Sequence, residues 1–230
     1  MKIIAIGCEY VGTSTLMEQF QAWLNESMGQ TTIIHDHFKI PHVSGHPPIE
    51  TPGTLLTDQE KQQVLSMSPK VKEVFTRYAL YYHTPSQTDH STVIGGMFSG
   101  HHFDELIYAP LYSGYGGPGE PGDRRVEAQI IEQNFLKYAP ETVLVLVRAS
   151  AEVVRQRMKD SPHDDSLVRD EDIEHVIQRF DEEFARSTIH NKIVLDTTNS
   201  TAAETFEDFL AKMEPFWTEG DRLRMLTHSF

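Results

Sequence analysis

Ile3-Ile4-Ala5-Ile6-Gly7-Cys8-Glu9-Tyr10-Val11-Gly12-Thr13-Ser14-Thr15-Leu16 is the stretch on which the fold turns. Four apolar residues read as a short buried strand that Gly7 stops. Beyond Gly12, Leu16, Phe20, Trp23, Leu24 and Met28 recur at helical spacing. The order is therefore strand, glycine-bounded loop, helix. Two glycines at this spacing let the backbone fold so that successive amide N–H groups and the helix N-terminus face one anion, which needs no side-chain charge. Gly7, Cys8, Glu9, Tyr10, Val11, Gly12, Thr13, Ser14 and Thr15 are thus the candidate phosphate-binding residues. Ser14 would place its hydroxyl on Mg²⁺, with Thr15 as its neighbour. The spacing is G-x-x-x-x-G-x-[ST], and Thr13 stands where a lysine would complete the motif. Charge on a transferred phosphoryl group would then have to be met by magnesium and by arginines brought from elsewhere.

Outward from that loop, strands and helices alternate. A second strand is expected at Thr32-Ile33-Ile34, followed by a Pro- and Gly-rich loop over 40–56. Thr57 and Glu60 form a capping box, and Ser68-Pro69 opens a helix with Val71, Val74, Phe75, Tyr78 and Tyr82 on one side. Thr92-Val93-Ile94 is the candidate third strand. Five glycines and two prolines make 112–123 a loop, after which 124–137 regains a helical period. The aliphatic run 142–147 reads as a strand buried on both faces. Ser150 caps the next helix, 160–169 is a further loop, Asp170 caps another helix, and 192–195 is a last strand before a helix from Thr201. This alternation implies one three-layer α/β/α domain over 1–230 with a mostly parallel central sheet and ligands at the carboxyl ends of the strands. The loops at 40–56, 112–123 and 160–169 are expected to be mobile.

Composition limits the ligand. Hydrophobic residues make up 39% of the 230, enough for a core. Twenty Lys and Arg against 34 Asp and Glu give a net charge of −14, which argues against nucleic acid as a partner. Cys8 is the only cysteine, so no intrachain disulfide can form, and a reducing cytoplasm is the expected location. No apolar run approaches the roughly 20 residues that cross a bilayer.

The glycine loop, Asp36-His37-Phe38 after the second strand, the 105–112 stretch, the 148–158 stretch and Ile193-Val194-Leu195-Asp196-Thr197-Thr198 together resemble the nucleoside and nucleotide kinases of the P-loop class, thymidylate kinase in particular. The resemblance implies a P-loop NTPase fold, ATP and Mg²⁺ as cofactors, and transfer of the γ-phosphoryl to a small acceptor such as a nucleoside or nucleoside monophosphate. Asp36 would orient the acceptor hydroxyl, with Asp104 and Glu105 as alternatives. Arg155, Arg157 and Arg169 would stabilise the transferring group, and Arg124-Arg125 could also close over a nucleotide. His37, Phe38, Arg77, Tyr81, Glu105 and Tyr108 would line the acceptor pocket. Such kinases often form homodimers. The sequence departs from their pattern at Ser99-Gly100-His101-His102, where an acidic residue and an arginine are expected, and at Thr13.

Two other readings follow from the same residues. Without the lysine, the domain could bind a nucleotide or another phosphorylated ligand without catalysis. His35, His37, His42 and His46 surround Asp36, and on a strand the first two would lie about 6–7 Å apart on one face. With His101-His102 they raise a transition-metal site, although a phosphate loop favours a hard ion bound through oxygen.

Overall fold

In the strand β1 (Ile3–Ile6) every side chain is at most 2% exposed. A continuously apolar run this short is buried on both faces only where strands flank it and helices cover it. The computed structural model, which describes residues 1–36, 38–41, 56–87, 96–120, 122–163 and 165–228, shows how. β1 lies between β3 (Met97–Ser99) and β4 (Val143–Arg148), with Ile3 opposite both Met97 and Val143. β2 (Ile34–His35) and β5 (Asn191–Asp196) extend the sheet to the order β2-β3-β1-β4-β5, and every pairing is parallel. All carboxyl ends therefore share one edge, and the segment after β1 leaves from its middle.

The helices α1 (Thr13–Met28), α8 (Ala202–Met213) and α9 (Glu219–His228) pack together. Leu16, Met17, Phe20, Leu24 and Met28 of α1 face the core. Phe20 meets Phe209 edge-on at 5.0 Å, and Trp23 stacks on Trp217 at 5.3 Å. A second group comprises α4 (His102–Tyr108), α5 (Arg124–Tyr138), α6 (Ala151–Asp160) and α7 (Ile173–Arg186). Side-chain caps expected from sequence start α2 (Asp58–Ser66) at Thr57 and α6 at Ser150, and Thr201 caps α8 in the same way. With its sheet flanked by helices, the chain is an α/β fold.

Several expectations shift. The expected strand at 92–94 lies outside the described residues, and the strand beside β1 comes after Gly95-Gly96, where Gly96 O accepts the Ile3 N–H at 2.8 Å. β2 starts at Ile34, two residues later than expected, since its pairing with β3 begins at Ile34 opposite Met97, the first residue of that short strand. α7 starts at Ile173 after a 3₁₀ turn, Asp170–Asp172, so Asp170 is not its cap. A π-helical turn, Ala109–Ser113, continues α4 into the glycine-rich loop.

α3 (Pro69–His83) has its expected period but presents the apolar side outward. Val71, Val74, Phe75, Tyr78 and Tyr82 are exposed, whereas Lys72, Glu73, Thr76 and Leu80 are buried. The polar residues face inward because they meet Arg124, which is 1% exposed and bonds Glu73, Thr76 and Glu105.

Candidate phosphate-binding cleft

Two glycines shape the segment after β1. A Cβ on Gly7 would lie 2.5 Å from the carbonyl oxygen of Val147 and 2.7 Å from Val11 Cγ2, so only hydrogen fits where the chain passes β4. Gly12 caps α1 with φ +101°, a conformation that side chains disfavour. The first helical bond runs from Leu16 N to Gly12 O at 3.1 Å, so the N–H groups of Thr13, Ser14 and Thr15 have no acceptor within the helix. The carbonyls of Tyr10 and Val11, which would oppose an anion, are engaged instead. Arg157 Nη1 donates to Tyr10 O at 3.1 Å, and Thr197 Oγ1 donates to Val11 O at 2.8 Å. Thr13 Oγ1 is buried with no hydrogen-bond partner among the described residues. The loop opens on a cleft of about 900 Å³ whose other walls include Asp36, Lys39, Ser99 and Asp104.

Glu9 organises the electrostatics of this cleft. Its Oε1 is 2.8 Å from Lys39 Nζ, while Oε2 accepts from Ser166 Oγ at 2.7 Å, Leu167 N at 2.9 Å and Val168 N at 3.1 Å. Burial opposes ionisation, but Lys39 and the hydrogen bonds outweigh it and hold the carboxyl at about 2. The segment before these donors also leans on the loop: Tyr10 stacks on His163 at 4.7 Å, and Tyr10 Oη accepts from His163 N at 3.1 Å. His163 and 166–168 of the 160–169 stretch thus contact the glycine loop. Burial lowers and the carboxylates of Glu9, Asp104 and Asp36 raise the Lys39 ammonium, with a net rise, so it stays charged. Burial pushes the Cys8 thiol up to about 12, so the loop offers no thiolate at neutral pH.

Asp104 is the one cleft carboxyl pushed up, to about 7 from an ordinary 3.8, by burial that Lys39 at 3.9 Å only partly offsets. A raised value means that the native state holds its proton more tightly than the unfolded chain. This contribution to stability is complete below pH 3.8 and is lost as pH rises towards 7. Asp104→Asn, which keeps the shape without the charge, should raise Tm at pH 8 and flatten stability between pH 4 and 7. Each kcal/mol of relieved penalty is worth about 2–4 °C. Melting curves across that range would check it; an unchanged slope would mean that Asp104 is ionised throughout. Glu9 works in the opposite sense: its stabilisation is present above pH 4.5 and is lost as pH falls towards 2.

No protein-family model matches the chain, and no curated protein matches it. Solved structures do. Deoxyadenosine kinase from M. mycoides with bound dATP matches with a TM-score of 0.56 at 14% identity, over 93% of this chain and 100% of that one. The same kinase with bound dCTP gives a TM-score of 0.54 at 15% identity, over 94% and 100%. The YorR protein of Bacillus subtilis, in complex with phosphorylated GDP, gives 0.52 at 16%, over 95% and 100%. The fold is that of the P-loop kinases.

On this P-loop scaffold the residues singled out in the sequence divide. Gly7 to Thr15, Asp36, Asp104 and Arg157 line the cleft. Asp36 is exposed at its wall. Tyr108 is buried against the P-loop and its hydroxyl accepts the Glu9 N–H at 3.2 Å. Phe38 is buried beside Phe98 and His101. The others turn elsewhere. Arg155 pairs with Asp170 and Glu174. Arg169 lies over the Tyr112 ring at 5.3 Å. Arg77 pairs with Glu73, Tyr81 donates to Glu127, and Glu105 is enclosed by Arg124, Thr76 and Tyr115. None of these five lines the cleft. His37, His42 and His46 lie outside the described residues, while His35 stacks on Phe98 at 5.5 Å. No group of three or more potential metal ligands occurs among the described residues. No helix among them is long and apolar enough to cross a membrane.

The sequence reading missed Lys39, the carboxylate clamp of Glu9 and the bracing of the P-loop by Thr197. One signal was available for Lys39. With Thr13 in place of the motif lysine, a lysine three residues beyond Asp36 is a natural candidate to search for.

Proposed function

We propose that the protein is a phosphotransferase that moves the γ-phosphoryl group of ATP to a nucleoside or nucleoside monophosphate. The observation that carries the reading is one cleft with P-loop amides on one wall and the carboxylates of Asp36 and Asp104 on another. Amide N–H groups of the P-loop bind the phosphates, and the braced carbonyls of Tyr10 and Val11 keep the loop in that shape. Among the described residues lining the cleft, Glu9, Asp36, Asp104, Asp160 and Asp165 face only Lys39 and Arg157 as formal cations. A polyphosphate entering so acidic a cleft calls for a divalent cation. The donors present are hydroxyl and carboxylate oxygens, which suit Mg²⁺, and Ser14 at the start of α1 would hold it. When bound, Mg²⁺ supplies charge neutralisation at the phosphates. Asp36 orients the acceptor hydroxyl and takes up its proton. Arg157 acts by fixing the loop, while Arg155 and Arg169 are held away from the cleft by Asp170 and Glu174 and over the Tyr112 ring.

Incubation with ATP, Mg²⁺ and a panel of nucleosides and monophosphates tests the reading. ADP release that depends on one acceptor class is expected. ATP binding with no such release would instead support a binding protein. Asp36→Asn should reduce acceptor-dependent turnover by about 10²–10⁴-fold while leaving ATP affinity within a few-fold. Steady-state rates paired with ATP titrations separate the two effects.

The exposed apolar side of α3, with Val126 and Ile130 exposed on α5, supports a homodimer in which a second copy covers it. Sedimentation velocity should return the dimer mass, and Phe75→Glu/Tyr78→Glu should return the monomer.

A further inference from the structure

Lys39 enters the cleft from the step after β2, against Glu9 of the glycine loop, and is only 13% exposed in its side chain. Four groups fix it. Its ammonium is 2.8 Å from Glu9 Oε1, 3.9 Å from Asp104 and 5.2 Å from the centre of the Tyr108 ring, and Tyr108 itself accepts the Glu9 N–H. We infer that Lys39 is the cation missing from position 13 of the loop: it reaches the phosphates of the bound nucleotide from the step after β2. The inference rests on the phosphate-binding reading and assigns that site its charged partner.

The other cation of the cleft is committed. Arg157 spends Nη1 on Tyr10 O and Thr197 Oγ1, and Nη2 on Thr197 O. Lys39 is not. An ammonium carries three N–H donors, and Glu9 Oε1 takes one at hydrogen-bond distance. Glu9 keeps its place when Lys39 gains a phosphate oxygen, because three donors from 166–168 saturate its other oxygen. The pair therefore holds the ammonium beside the loop before a ligand arrives, which lowers the ordering cost of binding. Because Asp36 lies three residues upstream and lines the same cleft, one short segment carries both the acceptor carboxylate and the phosphate cation. A lysine within the loop itself could not couple them in this way.

Calorimetric titration of ATP with Mg²⁺ into the wild type and three variants tests the assignment, with thermal melts to verify folding. Lys39→Met should weaken ATP binding by about 10–100-fold, the value of a hydrogen bond to a charged group. Lys39→Met/Glu9→Gln, which leaves no unpaired loop carboxylate, should fold even if the single variant does not, and should bind as weakly. Glu9→Gln alone keeps the ammonium and loses only its pre-positioning, so ATP binding should weaken far less than in Lys39→Met. Equal weakening by Glu9→Gln and Lys39→Met would overturn the inference, since the pair would then only shape the loop. Wild-type affinity in the folded double variant would also overturn it while leaving the phosphate reading intact. No ATP binding by the wild type would overturn both.

Discussion

Arg124→Ala is expected to lower the free energy of unfolding by about 3–5 kcal/mol, the cost of removing one member of a buried ion network. The guanidinium is sealed at 1% exposure and donates to Glu105 Oε2 at 2.9 Å, Glu73 Oε1 at 3.3 Å and Thr76 Oγ1 at 2.8 Å. Its face lies over the Tyr115 ring at 5.1 Å. Truncation leaves two carboxylates in the interior. Glu73 retains Lys70 and Arg77 at the surface, but Glu105 retains only Tyr115 and Thr76, neither charged. Most of the loss therefore belongs to Glu105. Urea denaturation measures it, and the loss should shrink when Glu105→Gln is combined with Arg124→Ala. A change below about 1 kcal/mol would mean that water reaches the network.

Gly7→Ala should weaken ATP binding by about a hundredfold, the scale on which a displacement near 1 Å is felt in a positioned site. The new methyl would face Val147 O, a backbone atom of the central sheet, so the loop must yield rather than β4. Displacing the loop also strains the bonds from Arg157 and Thr197 to Tyr10 O and Val11 O that orient it. Calorimetric titration reads the affinity, and urea denaturation of the same protein separates a distorted loop from an unfolded chain. Unchanged affinity would mean that the phosphates do not rest on these amides.

How far the sequence carries depends on how local each cause is. β1, the loop and α1 are adjacent in the chain, and their pattern is set by neighbours a few residues apart. The cap at Thr57 is equally local and forms the reciprocal bonds expected of it, and the structure shows the same box at Thr201. Position 39 is different: its meaning arises only when the step after β2 folds against Glu9, 30 residues away. The role of Glu105 likewise depends on Arg124 and on Glu73 of another helix, so a carboxylate that reads as an acceptor-binding candidate is enclosed in an ion network. Periodicity located the two faces of α3 correctly but could not assign them. A buried arginine draws Glu73 and Thr76 inward, and the apolar residues are left outside. The arginines on α6 show the same limit, since Arg155 and Arg157 are two residues apart and point to different partners.

A structure of the protein crystallised with a non-hydrolysable ATP analogue and Mg²⁺ would show where the phosphates rest. The phosphate chain should lie within hydrogen-bond distance of the N–H groups of Gly12 to Thr15, with the Lys39 ammonium against it. An analogue bound away from this loop, or phosphates held only by side chains, would contradict the phosphate-binding reading.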